Sequence, residues 1–250
     1  MIPGTIHKSF SKSLEREMEY KTFGEKGGKL CFAFPPQNGR YWDFENFGMV
    51  DVLSKWIEDG SIYLVLPDGI DWESWSGGGD PRHRIEMQER YFSYITTELY
   101  PEVKRLSGTR KKAIATGCSM GGFHAGIVFF RRPDLFGSML SLSGTFDASM
   151  FFGSYMDNLV YDNSPVHFLR NMSLDHPYIK LYRKSKIITC CGQGAWEEDL
   201  LKGTRELDEI LSIKDIPHFS DYWGYDVNHD WDWWKKQLYY FFDRYIMVRR

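Results

Sequence analysis

The sequence lacks the features that mark a disulfide-rich or zinc-binding protein. Only four cysteines occur among 250 residues, and no two of them have C-x-x-C spacing. Cys31, Cys118, Cys190 and Cys191 all lie in apolar runs that resemble strands. Such surroundings favour buried free thiols over disulfides or metal ligands. We therefore expect neither a disulfide framework nor a metal site.

Long apolar runs and an excess of charge of either sign are also missing. No stretch approaches the length of a membrane span. The first 30 residues are interrupted by charged residues, among them Lys8, Lys12, Glu15, Arg16, Glu17 and Lys21, and contain no apolar signal segment. The formal net charge of -3 gives no electrostatic case for nucleic acid or an anionic membrane as a partner. We expect a cytoplasmic protein, and the sequence leaves its oligomeric state open.

Short apolar runs that alternate with helical patterns favour an α/β fold. The composition, 42% hydrophobic and 26% charged, suits a single large α/β domain over residues 1–250. Predicted strands are Lys29–Phe34, Ile62–Leu66, Ala113–Ala115, Phe136–Leu142, Ile187–Cys191 and Pro217–Trp223. Predicted helices are Phe44–Asp59, Pro81–Arg105, Gly122–Arg131, Glu197–Leu211 and Trp231–Tyr245. This alternation predicts a mostly parallel, twisted sheet with helices on both faces.

Two segments depart from that alternation. The run Leu14–Phe23 has a period of two, which predicts an antiparallel, half-exposed edge strand near the N-terminus. Residues 146–186 form an irregular, aromatic-rich insertion that we interpret as cap-like, with a short helix at Pro165–Arg170.

A serine lies at the apex of a predicted strand, turn and helix. The sequence G-C-S-M-G, centred on Ser119, follows Ala113–Ala115 and precedes Gly122–Arg131. A nucleophile elbow needs residues without a Cβ atom beside the serine, and Gly117 and Gly121 occupy those positions. The alternative is an ordinary serine N-cap in a glycine-rich turn. The strand and helix on either side favour the elbow.

A catalytic serine needs a base, and the histidine best placed for that role is His229. Ligands in parallel sheets bind at the carboxyl ends of the strands. Of the seven histidines, only His229 follows the last predicted strand, so it lies on the same rim as Ser119. The other interpretation is a histidine that caps the terminal helix.

The base in turn needs a carboxylate to orient it. The chain order nucleophile, acid, base that accompanies a nucleophile elbow places the acid between Ser119 and His229, most naturally in the loop after Ile187–Cys191. Glu197 is our first choice because it lies nearest the strand end. Glu198 and Asp199 also suit the first turn of the following helix, and Asp147 is the second choice, after the preceding strand.

An oxyanion hole would use two backbone N–H groups, one of them from Met120. The second should come from the loop after Lys29–Phe34. Pro35 and Pro36 have no N–H to donate, so Gln37 is the first available donor, followed by Asn38 and Gly39.

Tryptophans are candidates for the wall of a substrate cleft. Trp72, Trp75 and Trp196 lie in loops at predicted strand ends and would suit an apolar or aryl ester. The same side chains could instead pack in the core.

Five segments of the chain resemble the α/β-hydrolase-fold esterase family that includes esterase D (S-formylglutathione hydrolase), feruloyl esterases and the antigen 85 mycolyltransferases. They read F-A-F-P-P-Q-N-G-R, L-V-L-P-D-G-I-D, G-C-S-M-G-G, C-G-Q-G-A-W-E and D-Y-W-G-Y-D-V-N-H-D-W-D-W-W. The resemblance implies Ser119 as nucleophile, Glu197 as acid, His229 as base, and Gln37 and Met120 as oxyanion donors. Several relatives use aspartate where this chain has Glu197, so the identity of the acid stays open.

The resemblance and the residues together predict a serine esterase. It would hydrolyse a small carboxylic ester through an acyl-enzyme, with no metal and no organic cofactor. An acyltransferase would use the same triad and pass the acyl group to an alcohol. A non-catalytic binding protein would keep the fold and lose the chemistry, but the presence of all three residue types in the required order argues against that alternative.

Overall fold

An eight-stranded sheet forms the centre of the computed structural model, which describes residues 2–248. The strands are β1 (Thr5–Ser11), β2 (Arg16–Phe23), β3 (Lys29–Phe34), β4 (Ile62–Pro67), β5 (Ala113–Cys118), β6 (Phe136–Leu142), β7 (Lys186–Cys191) and β8 (Phe219–Tyr222). Their order across the sheet is β1-β2-β4-β3-β5-β6-β7-β8. β1 and β2 pair antiparallel, as do β2 and β4, and the remaining pairs are parallel. The predicted mostly parallel sheet with antiparallel N-terminal strands is confirmed.

Helices lie between the strands and around the sheet. They are α1 (Asp43–Asn46), α2 (Met49–Val52), α3 (Ser54–Glu58), α4 (Pro81–Ser93), α5 (Tyr100–Ser107), α6 (Met120–Arg131), α7 (Ser149–Phe152), α8 (Asn158–Asp162), α9 (Pro165–Asn171), α10 (Pro177–Tyr182), α11 (Glu198–Ile213) and α12 (Trp231–Phe241). A single 3₁₀ turn covers Asp71–Glu73, and π-helical turns cover Tyr94–Leu99 and Phe242–Ile246.

The central strands are buried because their side chains pack into apolar clusters on both faces of the sheet. Successive side chains of a strand point to opposite faces. On β3, Phe32 and Phe34 accordingly belong to one apolar cluster, whereas Cys31 and Ala33 belong to another on the opposite face. All four cysteines are buried and none is in a disulfide.

The prediction of one continuous helix over Phe44–Asp59 is wrong. The structure breaks it into α1, α2 and α3. Gly48, between α1 and α2, has a φ angle of 81°, a left-handed conformation that ends a helix. The predicted edge strand is also displaced, because β1 pairs along the outer side of β2 and is itself the edge.

The predicted helix over Pro81–Arg105 is one helical path with an irregular middle. α4 leads into the π-helical turn Tyr94–Leu99, which leads into α5, and Pro101, which has no N–H to donate, lies in the first turn of α5. The segment 146–186 contains four short helices, α7 to α10, where the sequence indicated one. None of the helices within residues 2–248 combines the length and apolar character needed to span a membrane.

The buried face of β3 offers a test of the core. Phe32 is fully buried and packs on Tyr100 and Phe136, with ring centroids 5.9 and 5.6 Å away. We expect Phe32→Ala to lower the free energy of unfolding by about 3–5 kcal/mol through loss of buried area and an unfilled cavity. Denaturant unfolding measures the change.

Phe10→Ala is the matched control for that substitution. Phe10 lies on the edge strand β1 and is 65% exposed, so its truncation should change stability by less than about 0.5 kcal/mol. Equal effects of the two substitutions would contradict the burial of β3.

Candidate active site

Ser119 lies at a strained turn between β5 and α6. Its backbone angles are φ 57° and ψ -124°, a region that residues with a side chain rarely adopt. The Ser119 N–H donates to the carbonyl of Leu142 on the adjacent strand, at 2.8 Å. This geometry leaves the serine partly exposed between buried neighbours, as expected of a nucleophile elbow.

Gly117 and Gly121, two residues before and after Ser119, have no room for a side chain because other backbone atoms lie very close to them. A Cβ atom built on Gly117 would lie 2.4 Å from the carbonyl carbon of Gly121. One built on Gly121 would lie 2.2 Å from the carbonyl oxygen of Phe34 at the end of β3. The start of α6 therefore packs directly against the ends of β5 and β3.

A cavity of about 610 Å³ opens beside Ser119. This volume is within the range of small-molecule sites, roughly 300–1,000 Å³. The predicted site residues that line it are Gln37, Ser119, Met120, Trp196 and His229. Thr145, Met150, Phe151, Glu198, Asp199 and Leu200 complete its walls.

Glu197 is the carboxylate that contacts His229. Its side chain is fully buried at the start of α11, and Oε2 lies 3.2 Å from His229 Nδ1. The hydroxyl of Ser143 donates to Oε1 at 2.6 Å and in turn accepts a hydrogen bond from Trp234 Nε1 at 3.0 Å. The Cys191 thiol donates to Oε2 at 3.4 Å. Because both oxygens are bonded, the buried carboxylate is held in one orientation.

The neighbouring thiols remain protonated. Burial, with the Glu197 carboxylate as a further cause, raises the pKa of Cys191 and of Cys118, the residue before Ser119. A thiol with a raised pKa is a poor nucleophile, so neither cysteine is favoured as the nucleophile of this site.

Backbone hydrogen bonds hold the Glu197 loop and the His229 loop together. The His229 N–H donates to the carbonyl of Ala195 at 3.0 Å, and the Ala195 N–H donates to Asn228 Oδ1 at 2.8 Å. The Gly194 N–H donates to the carbonyl of Val227 at 2.9 Å. These bonds extend the contact between β7 and β8 beyond the ends of both strands.

The other candidate acids lie elsewhere. Glu198 and Asp199 are exposed on the cavity wall, and no ion pair within the described residues involves them. Asp147 accepts the N–H of Ser149 at 2.8 Å and lies 3.7 Å from His167 Nδ1. In the described part of the chain, none of these three carboxylates contacts His229.

Two backbone N–H groups are free at the cavity. Gln37 and Met120 both line it, and neither donates its N–H within residues 2–248. Gln37 follows Pro35 and Pro36 at the end of β3, and Met120 is the first residue of α6. These groups supply two hydrogen-bond donors beside Ser119.

The structure does not bring all three predicted tryptophans to the cavity. Trp75 is buried in the core, with its ring centroid 4.7 Å from that of Phe123. Trp72 is 44% exposed and is not among the residues that line the cavity. The prediction that Trp72 and Trp75 contact substrate is therefore not supported. Trp196, which is 86% exposed, does line the cavity.

The residues that hold the Glu197 side chain in place, Ser143 and Trp234, were not predicted from sequence. Ser143 follows β6 directly, so the strand-end rule placed it on the rim without giving it a role. Trp234 lies inside α12, and no sequence signal marks it as a partner of Ser143. No group of three or more potential metal ligands is found in residues 2–248.

The close approach at Gly121 generates a testable prediction. A methyl group at this position would overlap the Phe34 carbonyl, so α6 or β3 must shift. We expect Gly121→Ala to lower the free energy of unfolding by about 1–3 kcal/mol, the usual cost of overpacking. Denaturant unfolding of the purified variant measures it.

Gly78→Ala controls for the added methyl group itself. A Cβ atom at Gly78 would meet no atom within 4 Å, so stability should change by less than about 0.5 kcal/mol. A Gly121→Ala variant as stable as Gly78→Ala would contradict the described packing of the turn.

Comparison with known proteins identifies the family. A model of the family described as Putative esterase matches residues 37–243. The search of curated proteins finds no match.

Solved structures match almost the whole chain. A ferulic acid esterase has a TM-score of 0.74 at 20% identity, with 95% of each chain covered. The fluorophosphonate-binding serine hydrolase F of Staphylococcus aureus has a TM-score of 0.72 at 15% identity, with 96% of each chain covered. MPT51 of Mycobacterium tuberculosis has a TM-score of 0.74 at 14% identity, with 100% of each chain covered. With this sheet and this family match, the chain has the α/β-hydrolase fold and belongs to the Putative esterase family of carboxylic ester hydrolases.

Proposed function

We propose that this chain hydrolyses a small carboxylic ester through an acyl-enzyme formed on Ser119. The observation that carries the proposal is the hydrogen bond between buried Glu197 and His229, at a cavity that also exposes Ser119. The left-handed φ of Ser119 and the two free N–H groups of Gln37 and Met120 support it.

The first half of the reaction acylates the serine. His229 takes the hydroxyl proton of Ser119 as the oxygen attacks the ester carbonyl carbon. The N–H groups of Gln37 and Met120 donate to the negatively charged oxygen of the tetrahedral intermediate. When the intermediate collapses, the C–O bond to the alcohol breaks and His229 returns the proton to the leaving alkoxide.

The second half releases the acid. His229 takes a proton from water, and the resulting hydroxide attacks the acyl carbonyl. Collapse of the second tetrahedral intermediate breaks the bond to Ser119, which regains its proton from His229. Throughout, the Glu197 carboxylate accepts a hydrogen bond from the Nδ1–H group of His229 and stabilises the imidazolium that forms in each half.

The cavity supports a small-molecule ester as the substrate. Its walls combine apolar side chains, Met150, Phe151 and Leu200, with the polar side chains of Thr145 and the catalytic residues. Trp196 provides an exposed aromatic surface on the wall. We expect a preference among acyl or alcohol groups that contact these apolar side chains.

Removal of the nucleophile is the first test of the proposed function. With p-nitrophenyl esters from acetate to octanoate, we expect Ser119→Ala to reduce kcat by about 1,000-fold or more, as triad deletions do in serine hydrolases. Ser212→Ala is the control, because Ser212 is an exposed residue of α11. A Ser119→Ala variant with wild-type kcat would overturn the assignment.

Substitution of each candidate acid tests whether Glu197 or a neighbouring carboxylate orients His229. Glu197→Gln keeps the side-chain volume but no longer fixes the protonated Nδ1 tautomer of His229, so kcat should fall by about 100- to 10,000-fold. Glu198→Gln leaves the contact between Glu197 and His229 intact, and we expect a loss below about tenfold. Steady-state kinetics on one ester measures both.

The same steady-state comparison can exclude Glu197 as the acid that orients His229. A larger loss in Glu198→Gln or Asp199→Asn than in Glu197→Gln would contradict the role of Glu197. Circular dichroism of each variant confirms that the comparison is made between folded proteins.

A further inference from the structure

A second histidine–carboxylate pair lies beneath the site and takes no part in the proposed reaction. His124 Nε2 lies 2.8 Å from Asp71 Oδ1. The two residues are only 2% and 1% exposed. Burial of two such polar side chains is unfavourable unless their hydrogen bonds are made.

Each member of the pair is connected to one N–H group of the proposed oxyanion hole. His124 lies on α6, one helical turn after Met120. The second oxygen of Asp71, Oδ2, accepts the N–H of Asn38 at 3.3 Å. Asn38 is the residue after Gln37, so the Asp71 side chain connects α6 to the loop that presents the Gln37 N–H.

The loop around Gln37 has one backbone hydrogen bond of its own, from the Gly39 N–H to the Pro36 carbonyl at 2.8 Å. Pro35 and Pro36 have no N–H, and Asn38 has a left-handed φ of 57°. The hydroxyl of Ser76 bonds both to the Asn38 side chain, at 2.5 Å, and to the Asp71 carbonyl, at 3.0 Å. Within residues 2–248, Asp71 is the one side chain that accepts a backbone N–H from the loop segment 35–39.

The position of the His124 ring is itself fixed. Phe34 stacks against it with ring centroids 5.9 Å apart, and Tyr91 packs edge-on at 5.3 Å. The Tyr91 hydroxyl donates to the carbonyl of Asp68 at 2.9 Å, three residues before Asp71. The pair therefore forms a rigid connection between α6 and the segment after β4.

We propose that Asp71 and His124 are positioning residues that set the separation of the Gln37 and Met120 N–H groups in the oxyanion hole. The inference rests on the proposed function, since it assigns those two groups to the oxyanion. Neither side chain lines the cavity, so each acts through the backbone that it holds.

The test compares hydrolysis of p-nitrophenyl acetate with hydrolysis of its thionoester, in which sulfur replaces the carbonyl oxygen. Sulfur accepts hydrogen bonds weakly, so the ratio of the two kcat values reports how well the oxyanion donors are placed. Each kcat is the maximal rate divided by the active-site concentration from the p-nitrophenol burst, which removes any contribution of unfolded protein.

Asp71→Ala removes both hydrogen bonds of the carboxyl group. We expect kcat for the oxygen ester to fall by about 10- to 100-fold, the scale of a displaced or lost oxyanion donor, with KM within about twofold of wild type. The ratio of oxygen-ester to thionoester kcat should fall as well. Asp71→Asn retains an acceptor for Asn38 and a donor for His124, so it should recover most of the ratio.

His124→Phe provides an independent variant should Asp71→Ala not fold. It keeps a ring between Phe34 and Tyr91 but loses the bond to Asp71, and the same fall in the ratio is expected. Asp208→Ala is the matched control, because Asp208 and His218 form another pair, 2.7 Å apart, near β8. Its loss should lower Tm without changing the ratio.

Unchanged ratios in Asp71→Ala and His124→Phe would overturn the positioning role, even if Tm or kcat fell. An equal fall of the ratio in Asp208→Ala would overturn it too, since any loss of stability would then suffice. A wild-type protein that hydrolyses neither ester would instead overturn the proposed function, and with it this inference.

Discussion

The strained turn at Ser119 is the constraint on which the rest of the site depends. β5 ends between β3 and β6, and α6 begins at once, so close to the end of β3 that Gly121 could not carry a side chain. The close packing of Gly121 on β3 fixes the direction of α6. As a result, the Met120 N–H faces the cavity and His124 lies next to Asp71. The left-handed φ of Ser119 thus determines where the proposed nucleophile and one proposed oxyanion donor lie, and the surrounding sheet has to supply the stability that the strain removes.

Backbone strain is concentrated around this cavity. Six described residues other than glycine have a positive φ, and four of them, Asn38, Ser119, Ser143 and Trp196, lie in the loops that form the site. Each follows the carboxyl end of a parallel strand, directly or within a few residues, where loops are free to adopt conformations that a packed strand cannot. The rigid parallel sheet therefore anchors the strained loops, and these loops hold the polar groups of the site in fixed positions.

Most of the fold was predictable from sequence because the central strands are buried on both faces and appear as continuous apolar runs. The predicted bounds of β3 and β6 agree with the structure, and those of β4 and β7 differ by one residue. The helix over Phe44–Asp59 was not predictable as three pieces, because the apolar spacing continues through Gly48 and only the backbone shows the break. For the site, chain order and the strand-end rule brought Ser119, Glu197 and His229 to one rim. Trp75 and the Asp71–His124 pair depended on tertiary contacts between distant segments, for which local sequence carries no signal.

In the proposed reaction, Ser119 becomes covalently modified. Treatment of the wild-type protein with a fluorophosphonate, followed by peptide mass mapping, tests it most directly. We expect a single adduct on the peptide that contains Ser119, formed much more slowly in His229→Ala because the base is missing. An adduct on a different residue, or labelling that persists in Ser119→Ala, would contradict it.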